Sequence, residues 1–161
     1  MTERIDIADQ IILNELQQDA RQSLEALSEA CSLSVPTVQR RLKNLRENGV
    51  ISKEIAVIDQ QKIGQSMTYV VMVEMERERV DQLNSFKQAA WEEPQVQQCY
   101  YVTGEADFCL ICTASDMSDF ESLTHRLFFD NSNVRRFRTS VVMGHSKIGL
   151  TVNITKQNMV S

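Results

Sequence analysis

The residues with the clearest chemical potential are the basic and amide side chains between residues 37 and 46. This segment holds four cations and no carboxylate, whereas the whole chain of 161 residues carries 22 acidic and 17 basic residues and a net charge of −5. Lysine and arginine neutralise phosphates, and arginine, asparagine and glutamine can read base edges in a major groove about 12 Å wide. Because the chain is acidic overall, it is not a uniformly basic nucleic-acid binder, and DNA would have to bind at this one element. The candidate DNA contacts are Ser34, Thr37, Gln39, Arg40, Arg41, Lys43, Asn44 and Arg46.

A helix would separate these polar side chains from an apolar stripe. With about 100° of rotation per residue, Val38, Leu42 and Leu45 fall on one side of the helix, and Arg40 and Lys43 fall on the opposite side. A charged helix face is often merely solvated, so the face alone does not indicate a DNA contact. The elements that precede the helix decide between these interpretations.

Three helices joined by short turns are predicted in residues 5–48. They span about Asp6–Asp19, Ser23–Cys31 and Ser34–Asn48, and each range begins with a residue type that favours the N-cap position. Ser32 and Leu33 leave room only for a tight connection between the second and third helices. Two helices separated by such a turn form a helix-turn-helix, which positions its second helix in the groove. The arrangement therefore favours DNA binding.

The second half of the sequence predicts a sheet with two helices. After a strand at 51–58, the predicted elements are strand 68–76, helix 80–91, strand 96–103, strand 106–113, helix 117–129 and strand 134–143. This β-α-β-β-α-β order is that of a ferredoxin-like domain with a central hairpin. The fold class is therefore α+β. The chain is predicted to consist of a helix-turn-helix (winged-helix-like) domain at 1–50, a linker with a strand at 51–66 and the ferredoxin-like domain at 67–155.

Helices are predicted to cover one face of this sheet. The covering side chains are Val80, Leu83, Ala90 and Trp91 from the first helix, and Phe120, Leu123, Leu127 and Phe128 from the second. The first strand is apolar at every position from Tyr69 to Val73, so both of its faces should be buried. No further element of the chain is predicted to cover the second face, and a partner subunit is the simplest cover.

The remaining reactive side chains do not form a recognisable site. Cys109 and Cys112 are three residues apart in a strand, so they point to opposite faces and cannot share a metal. His125 and His145 lie far apart in the sequence, and no serine or cysteine has an evident general base. We therefore expect reduced cysteines, no catalytic residue, no metal and no cofactor. The spacing leaves open an oxidative cross-link between Cys99 and the facing strand.

The sequence carries no membrane or secretion signal. No apolar run approaches the roughly 18 residues of a membrane span. The first residues, MTERIDIADQ, lack the apolar region of a signal peptide. We expect a cytoplasmic protein with no membrane partner.

Four segments carry a more specific signal. They are IDIADQIILNELQQDAR, SVPTVQRRLKNLRENGVI, YYVTGEADFCLICTASDM and RFRTSVVM. In this order, over nearly the whole chain, they resemble the Lrp/AsnC family of feast/famine transcription regulators. The resemblance implies an N-terminal DNA-binding domain, a linker strand and a C-terminal regulatory (RAM/ACT-like) domain that dimerises through its sheets, with further assembly to octamers in some members. The family often has glycine in the turn of the helix-turn-helix, where this chain has Ser32.

The resemblance also implies an effector site near the predicted hairpin turn. Gly104 permits a positive φ and close approach to the backbone. Exposed turn amides can hold a carboxylate, and Glu105 or Asp107 can pair with an ammonium group, so an amino acid would fit. Without the resemblance, such residues between strands most often form only a turn. The candidate effector-binding residues are Val102, Thr103, Gly104, Glu105, Asp107, Thr139 and Ser140.

Together these features predict a sequence-specific DNA-binding transcriptional regulator. The expected partners are double-stranded operator DNA, a small effector of the amino-acid class, and a second copy of the chain in a homodimer or larger assembly. The alternative is a small-molecule-binding module or enzyme built on the ferredoxin-like domain, with the helices serving assembly. A gel-shift assay with the cognate upstream region distinguishes the two.

Overall fold

The computed structural model describes residues 5–154, which form two units. The first unit consists of residues 5–57 together with 148–154, and the second consists of residues 58–147. Each unit has its own cluster of buried apolar side chains. None of the helices in these residues is long and apolar enough to cross a lipid bilayer.

The first unit contains the three predicted helices. They are α1 (Ile7–Gln18), α2 (Leu24–Cys31) and α3 (Val35–Glu47). Asp6 forms a reciprocal capping box with Asp9 at the start of α1, and the Ser23 hydroxyl accepts a hydrogen bond from the Ala26 amide at the start of α2. The helices bury a common apolar core of Ile12, Leu13, Leu27, Val38, Leu42 and Leu45.

The turn between α2 and α3 takes the conformation that glycine favours, although it has a serine. Ser32 has φ 55° and ψ 41°, in the left-handed region, and ends α2. The Leu33 amide donates to the Ser28 carbonyl at 3.1 Å, and the Ser28 hydroxyl donates to the Leu33 carbonyl. These bonds satisfy the end of the helix and hold Ser32 in a conformation that a side chain disfavours. The short connection predicted between the helices is confirmed.

Two segments of the first unit differ from the prediction. Residues 51–57 are irregular and form no strand, with Val57 and Ile55 exposed, because residues 5–154 contain no strand that pairs with them. Residues 148–154, which we predicted to belong to the ferredoxin-like domain, group instead with the helices. Gln17 accepts a hydrogen bond from the Val152 amide at 2.7 Å and donates to its carbonyl at 3.1 Å. Residue 155, the predicted end of that domain, lies outside the described residues.

The second unit has the predicted ferredoxin-like architecture. After the 3-10 turn Gln61–Ile63, its elements are β1 (Met67–Met75), α4 (Val80–Glu92), β2 (Val96–Tyr101), β3 (Phe108–Ala114), α5 (Met117–Thr124) and β4 (Val134–Val141). The strand order is β2-β3-β1-β4, and each neighbouring pair is antiparallel. The predicted helix 117–129 is α-helical only as far as Thr124, and its last five residues, His125–Phe129, form a single π-helical turn. This widening leaves Phe129 exposed and Phe128 buried.

Both helices pack on the same face of the sheet. Tyr69 of β1 stacks on Phe120 of α5 with ring centroids 3.7 Å apart, and Phe86 of α4 packs on Phe108 of β3 at 4.7 Å. All four side chains predicted for α5 and its continuation, namely Phe120, Leu123, Leu127 and Phe128, are buried.

The side chains predicted to cover the sheet from α4 are only partly correct. Leu83 and Ala90 are buried, but Val80 and Trp91 are 73% and 80% exposed. Phe86, which we did not predict, is buried instead because it lies between Leu83 and Ala90 on one helical face. Trp91 is rotated by about 100° from that face.

The other face of the sheet carries partly exposed apolar side chains. Val70 and Met72 of β1 lie on it beside Ile111 and Cys109 of β3, and all four retain intermediate exposure. Cys112 is buried on the helix-covered face, so the predicted divergence of Cys109 and Cys112 is confirmed. Cys99 lies opposite Leu110 and therefore on the helix-covered face, away from Cys109. All four cysteines are free thiols.

Candidate functional site

The helix α3 begins with a polar cluster rather than with a capped backbone amide. Ser34 occupies the N-cap position, and Pro36 lies in the first turn. The Ser34 hydroxyl lies 2.8 Å from the Thr37 hydroxyl and makes no side-chain bond to the helix backbone. The amide groups at this helix end therefore keep capacity to bind an anion.

The predicted exposed face of α3 is found in the structure. Gln39, Arg40, Lys43 and Asn44 are exposed, while Val38, Leu42 and Leu45 are buried on the opposite side. Arg40 forms no ion pair with any residue of the range 5–154. The Lys43 side chain is 71% exposed, and its ammonium lies 3.7 Å from Glu47, a pairing of small energetic value in water. We call these four polar side chains the α3 surface.

Two further cations of α3 are occupied within the unit. The Arg46 guanidinium lies 2.8 Å from the Glu54 carboxylate. Arg41 lies 2.8 Å from both Asp6 and Asp9 and is only 26% exposed. Sequence reasoning counted both arginines as DNA contacts because it summed charge along α3. The signal for Arg41 was present in the two aspartates at the start of α1, but their proximity depends on helix packing.

The loop at 102–107 forms the predicted turn between β2 and β3. Gly104 has φ 121°, and a Cβ atom built there would meet nothing within 4 Å. Thr103, Gly104 and Glu105 are exposed, and the Val102 amide closes the turn with a 2.9 Å bond to the Asp107 carbonyl. The tip of the turn therefore presents backbone groups to solvent without side-chain obstruction.

Asp107 forms hydrogen bonds to β1 with both its backbone and its side chain. Its backbone amide donates to the Val73 carbonyl at 2.9 Å, and its Oδ2 atom accepts from the Met75 amide at 2.7 Å. These bonds continue the pairing of β3 with β1 past the end of the ladder. Of the two carboxylates predicted at the turn, only Glu105 extends into solvent, with 88% of its side chain exposed.

A network of alternating charges lies beside the turn. Glu105 is 3.4 Å from Arg138, which is 2.9 Å from Glu74, and Glu74 also accepts a bidentate pair from Arg136 at 2.7 and 3.0 Å. Arg136 and then Arg138 hold the pKa of Glu74 below its ordinary value, while Glu74 raises the pKa of Arg136. The sequence analysis missed these residues of β1 and β4. Their alternation at 136 and 138 was the available signal for a shared strand face.

Thr139 and Ser140 do not lie on one face. Thr139 is opposite Val71, on the helix-covered side, whereas Ser140 is opposite Val70, on the side that carries Arg138. Successive residues of a strand alternate in direction, so the two hydroxyls cannot line the same pocket within this chain. Only Ser140 shares a face with the charge network.

Grouped metal ligands are not found in this part of the chain. Within residues 5–154, no three histidine, cysteine, aspartate or glutamate side chains are arranged to hold a metal ion. Burial raises the pKa of Cys112 to about 12, so this thiol is not a nucleophile near neutral pH. The chemical features of the molecule are thus the α3 surface and the turn with its charge network.

Two known protein families match this chain, one in each half. Residues 5–52 match a winged helix-turn-helix DNA-binding domain, and residues 68–151 match the Lrp/AsnC ligand binding domain. The chain belongs to the Lrp/AsnC family. Its members are DNA-binding transcriptional regulators with an effector-binding domain. The resemblance stated from the sequence is therefore confirmed, together with the fold class.

Individual transcriptional regulators match this chain over almost its full length. A helix-turn-helix transcriptional regulator of Sinorhizobium fredii is 41% identical over 150 residues, covering 93% of this chain and 89% of the relative. The leucine-responsive regulatory protein of Rhizobium meliloti is 30% identical over 152 residues, covering 93% and 96%. The crystal structure of a Neisseria meningitidis transcriptional regulator in complex with L-methionine superimposes with a TM-score of 0.86 at 26% identity, covering 92% of this chain and 96% of that one.

Proposed function

We propose that this Lrp/AsnC protein binds operator DNA through the α3 surface and that an amino-acid effector modulates its DNA binding or assembly. The single observation that carries the DNA-binding part is the exposure of Arg40 and Lys43, with Gln39 and Asn44 beside them, on the second helix of a helix-turn-helix. Such a helix enters the major groove of a duplex.

Each side chain of the α3 surface has a separate role in this proposal. Arg40 and Lys43 neutralise phosphates, which gives affinity without sequence preference. Gln39 and Asn44 offer both a donor and an acceptor, the pattern that reads adenine in the major groove. The free amides at the start of α3, near Thr37, add a phosphate contact. Affinity and specificity thus come from neighbouring positions on one helix.

A homodimer would present two copies of this surface. The apolar side chains Val70, Met72, Cys109 and Ile111 on the open face of the sheet support this proposal, since burying them against a second sheet removes them from water. Two recognition helices then bind half-sites one helical turn apart, about 34 Å, on an imperfect palindrome. The proposal extends to further assembly of such dimers into an octamer.

The effector proposal rests on the turn and the charge network. An amino acid carries a carboxylate and an ammonium group on one carbon. Arg138 and the exposed amides near Gly104 can bind the first, and Glu105 can bind the second. Ser140 lies on the same face as Arg138. The L-methionine bound by the Neisseria meningitidis regulator supports an amino acid as the ligand class.

Fluorescence anisotropy tests DNA binding directly. The labelled probe is the DNA upstream of the chain's own gene, and a scrambled duplex of equal length is the control. Saturable binding that prefers the genomic duplex by at least about 1000-fold is expected of a specific regulator. Equal affinity for both duplexes at physiological salt would refute sequence-specific regulation. Light scattering in the same buffer reports the oligomeric state.

Two variants test the effector site. A thermal-shift screen of the twenty amino acids first identifies the ligand on the wild-type protein. Glu105→Gln and Gly104→Ala are then expected to reduce the ligand-induced shift in melting temperature. DNA affinity without ligand should be unchanged, because neither residue belongs to the α3 surface. Glu78→Gln, at an exposed carboxylate outside the network, is the matched control. A normal ligand response in both turn variants would exclude this turn.

A further inference from the structure

We propose that Arg41 is a positioning residue that fixes α3 against the start of α1 through Asp6 and Asp9, and that it does not itself contact DNA. The inference rests on the proposed function, because it concerns how the first unit presents the α3 surface to a duplex. It also reassigns an arginine that its position on α3 alone places among the DNA contacts.

One nitrogen of Arg41 lies within hydrogen-bond distance of both aspartates. Its Nη1 atom lies 2.8 Å from Asp6 Oδ2 and 2.8 Å from Asp9 Oδ1. The remaining carboxylate oxygens accept backbone amides, Asp6 Oδ1 from Asp9 at 2.9 Å and Asp9 Oδ2 from Asp6 at 3.2 Å. All four carboxylate oxygens therefore have a donor, and the two aspartates cannot reorient without losing one.

Burial separates Arg41 from the cations of the α3 surface. Its side chain is 26% exposed, against 71% for Lys43, and its Nε atom is buried without a hydrogen-bond partner among residues 5–154. Contact of Nη1 with a phosphate would require Arg41 to leave two carboxylates, which would then lose their cation near DNA. Like charges repel, so the exchange is unfavourable.

A directional contact is needed at this position because the rest of the packing is apolar. The helix α3 contributes Val38, Leu42 and Leu45 to the core. Burial of this stripe decides which side of the helix faces inward, but hydrophobic contacts are non-directional and allow small rotations about the helix axis. Charge-assisted hydrogen bonds do fix geometry. Rotation of α3 would move Arg40 and Lys43 together relative to the groove, so the ion pairs set the register of the whole surface.

Neutralising the aspartates distinguishes positioning from direct contact, because the two roles predict opposite changes. The variant Asp6→Asn/Asp9→Asn leaves the sequence of α3 unaltered and replaces the two ion pairs of Arg41 with, at most, weaker hydrogen bonds to neutral amides. A positioning role predicts about tenfold weaker binding to the operator, comparable to the loss of one base contact. Binding as tight as wild type, or tighter, would overturn the inference, since a freed cation and a less acidic unit attract DNA.

The salt dependence of the Arg41→Met variant gives the second readout. Methionine keeps the apolar part of the side chain and removes the cation. A positioning role predicts weaker binding with an unchanged slope of affinity against salt, whereas loss of a phosphate contact lowers the slope by about 0.9 per site. The double variant Arg41→Met/Asp9→Asn should bind the operator only slightly more weakly than either single variant, because both changes remove the same contact. A slope reduced by about 0.9 per subunit would overturn the inference.

The controls separate folding, charge and the proposed function. Glu25→Gln/Glu29→Gln changes charge by the same amount at exposed positions of α2 and should not weaken binding. All affinities are measured well below the lowest melting temperature of the set, so that unfolding does not contribute. Absence of specific binding by the wild type would overturn the proposed function and this inference together. Specific binding by the wild type with unimpaired binding by the aspartate variant would overturn only the inference.

Discussion

Removing the two outward cations of α3 is the sharpest perturbation of the proposed DNA interface. In the variant Arg40→Ala/Lys43→Ala, alanine preserves the helix, and neither side chain contributes to the core of the first unit. Arg40 has no ion pair within the described range, and the only such partner of Lys43 there is Glu47 at 3.7 Å. The fold should therefore remain intact while two phosphate contacts per chain are lost.

The expected magnitude follows from these contacts. In a dimer, four phosphate contacts are removed, and at about 0.9 per contact the slope of log affinity against log salt should fall by about 3.6. Over a fourfold rise in salt, from about 50 to about 200 mM, the wild type should then lose about 150-fold more affinity than the variant. The affinity difference is therefore largest at low salt and shrinks as salt rises.

Fluorescence anisotropy at four or more salt concentrations measures both slopes with the same operator duplex. The matched control is Lys62→Ala/Arg77→Ala, which removes two exposed cations from the second unit and changes the net charge equally. The salt slope of the control should stay within about 0.9 of the wild-type slope, which is the contribution of one phosphate contact. An unchanged slope for Arg40→Ala/Lys43→Ala, or an equal decrease in the control, would refute the assignment of the α3 surface to DNA.

Two further predictions concern the second unit. Arg136 and Arg138 hold the pKa of Glu74 below its ordinary value of 4.5, so the carboxylate stabilises the fold above that pH, and the contribution is lost as the pH falls through the lower folded-state pKa. Glu74→Gln should flatten the decrease in melting temperature below about pH 5, and an acid limb as steep as that of the wild type would contradict the pairing. Burial raises the pKa of Cys112 to about 12, so mass spectrometry should find this thiol unmodified after iodoacetamide treatment of the folded protein at about pH 8. Labelling of Cys112 as fast as in denaturant would show that the core is not closed around it.

Local chemistry was sufficient to predict most elements of this chain. Asp6 and Ser23 have side chains that satisfy the first amides of a helix, and apolar spacing identified the buried faces of α3 and α5. The divergence of Cys109 and Cys112 followed from strand alternation alone. The same rule places Thr139 and Ser140 on opposite faces of β4 within one chain, although the sequence analysis assigned both to one effector site. These properties depend on a few neighbouring residues, so they can be read without a structure.

Residues 51–57 show where local pattern is insufficient. The residue types there predicted a strand, but a strand needs a partner for its backbone groups, and the described residues provide none. Trp91 shows the same limit for burial. An aromatic side chain near the end of α4 was expected to cover the sheet, yet Phe86 fills that space and Trp91 remains exposed.

The amino-acid sequence by itself determined the helices, the order of strands and helices along a ferredoxin-like domain and the outward direction of Arg40 and Lys43. Only the tertiary structure decided which charged side chains are paired within the chain and which can still bind a ligand or DNA. It pairs Arg41 with Asp9, 32 positions away, and Arg138 with Glu105, 33 positions away. Periodicity fixes the direction of a side chain within its own element, whereas its partner depends on how distant elements pack.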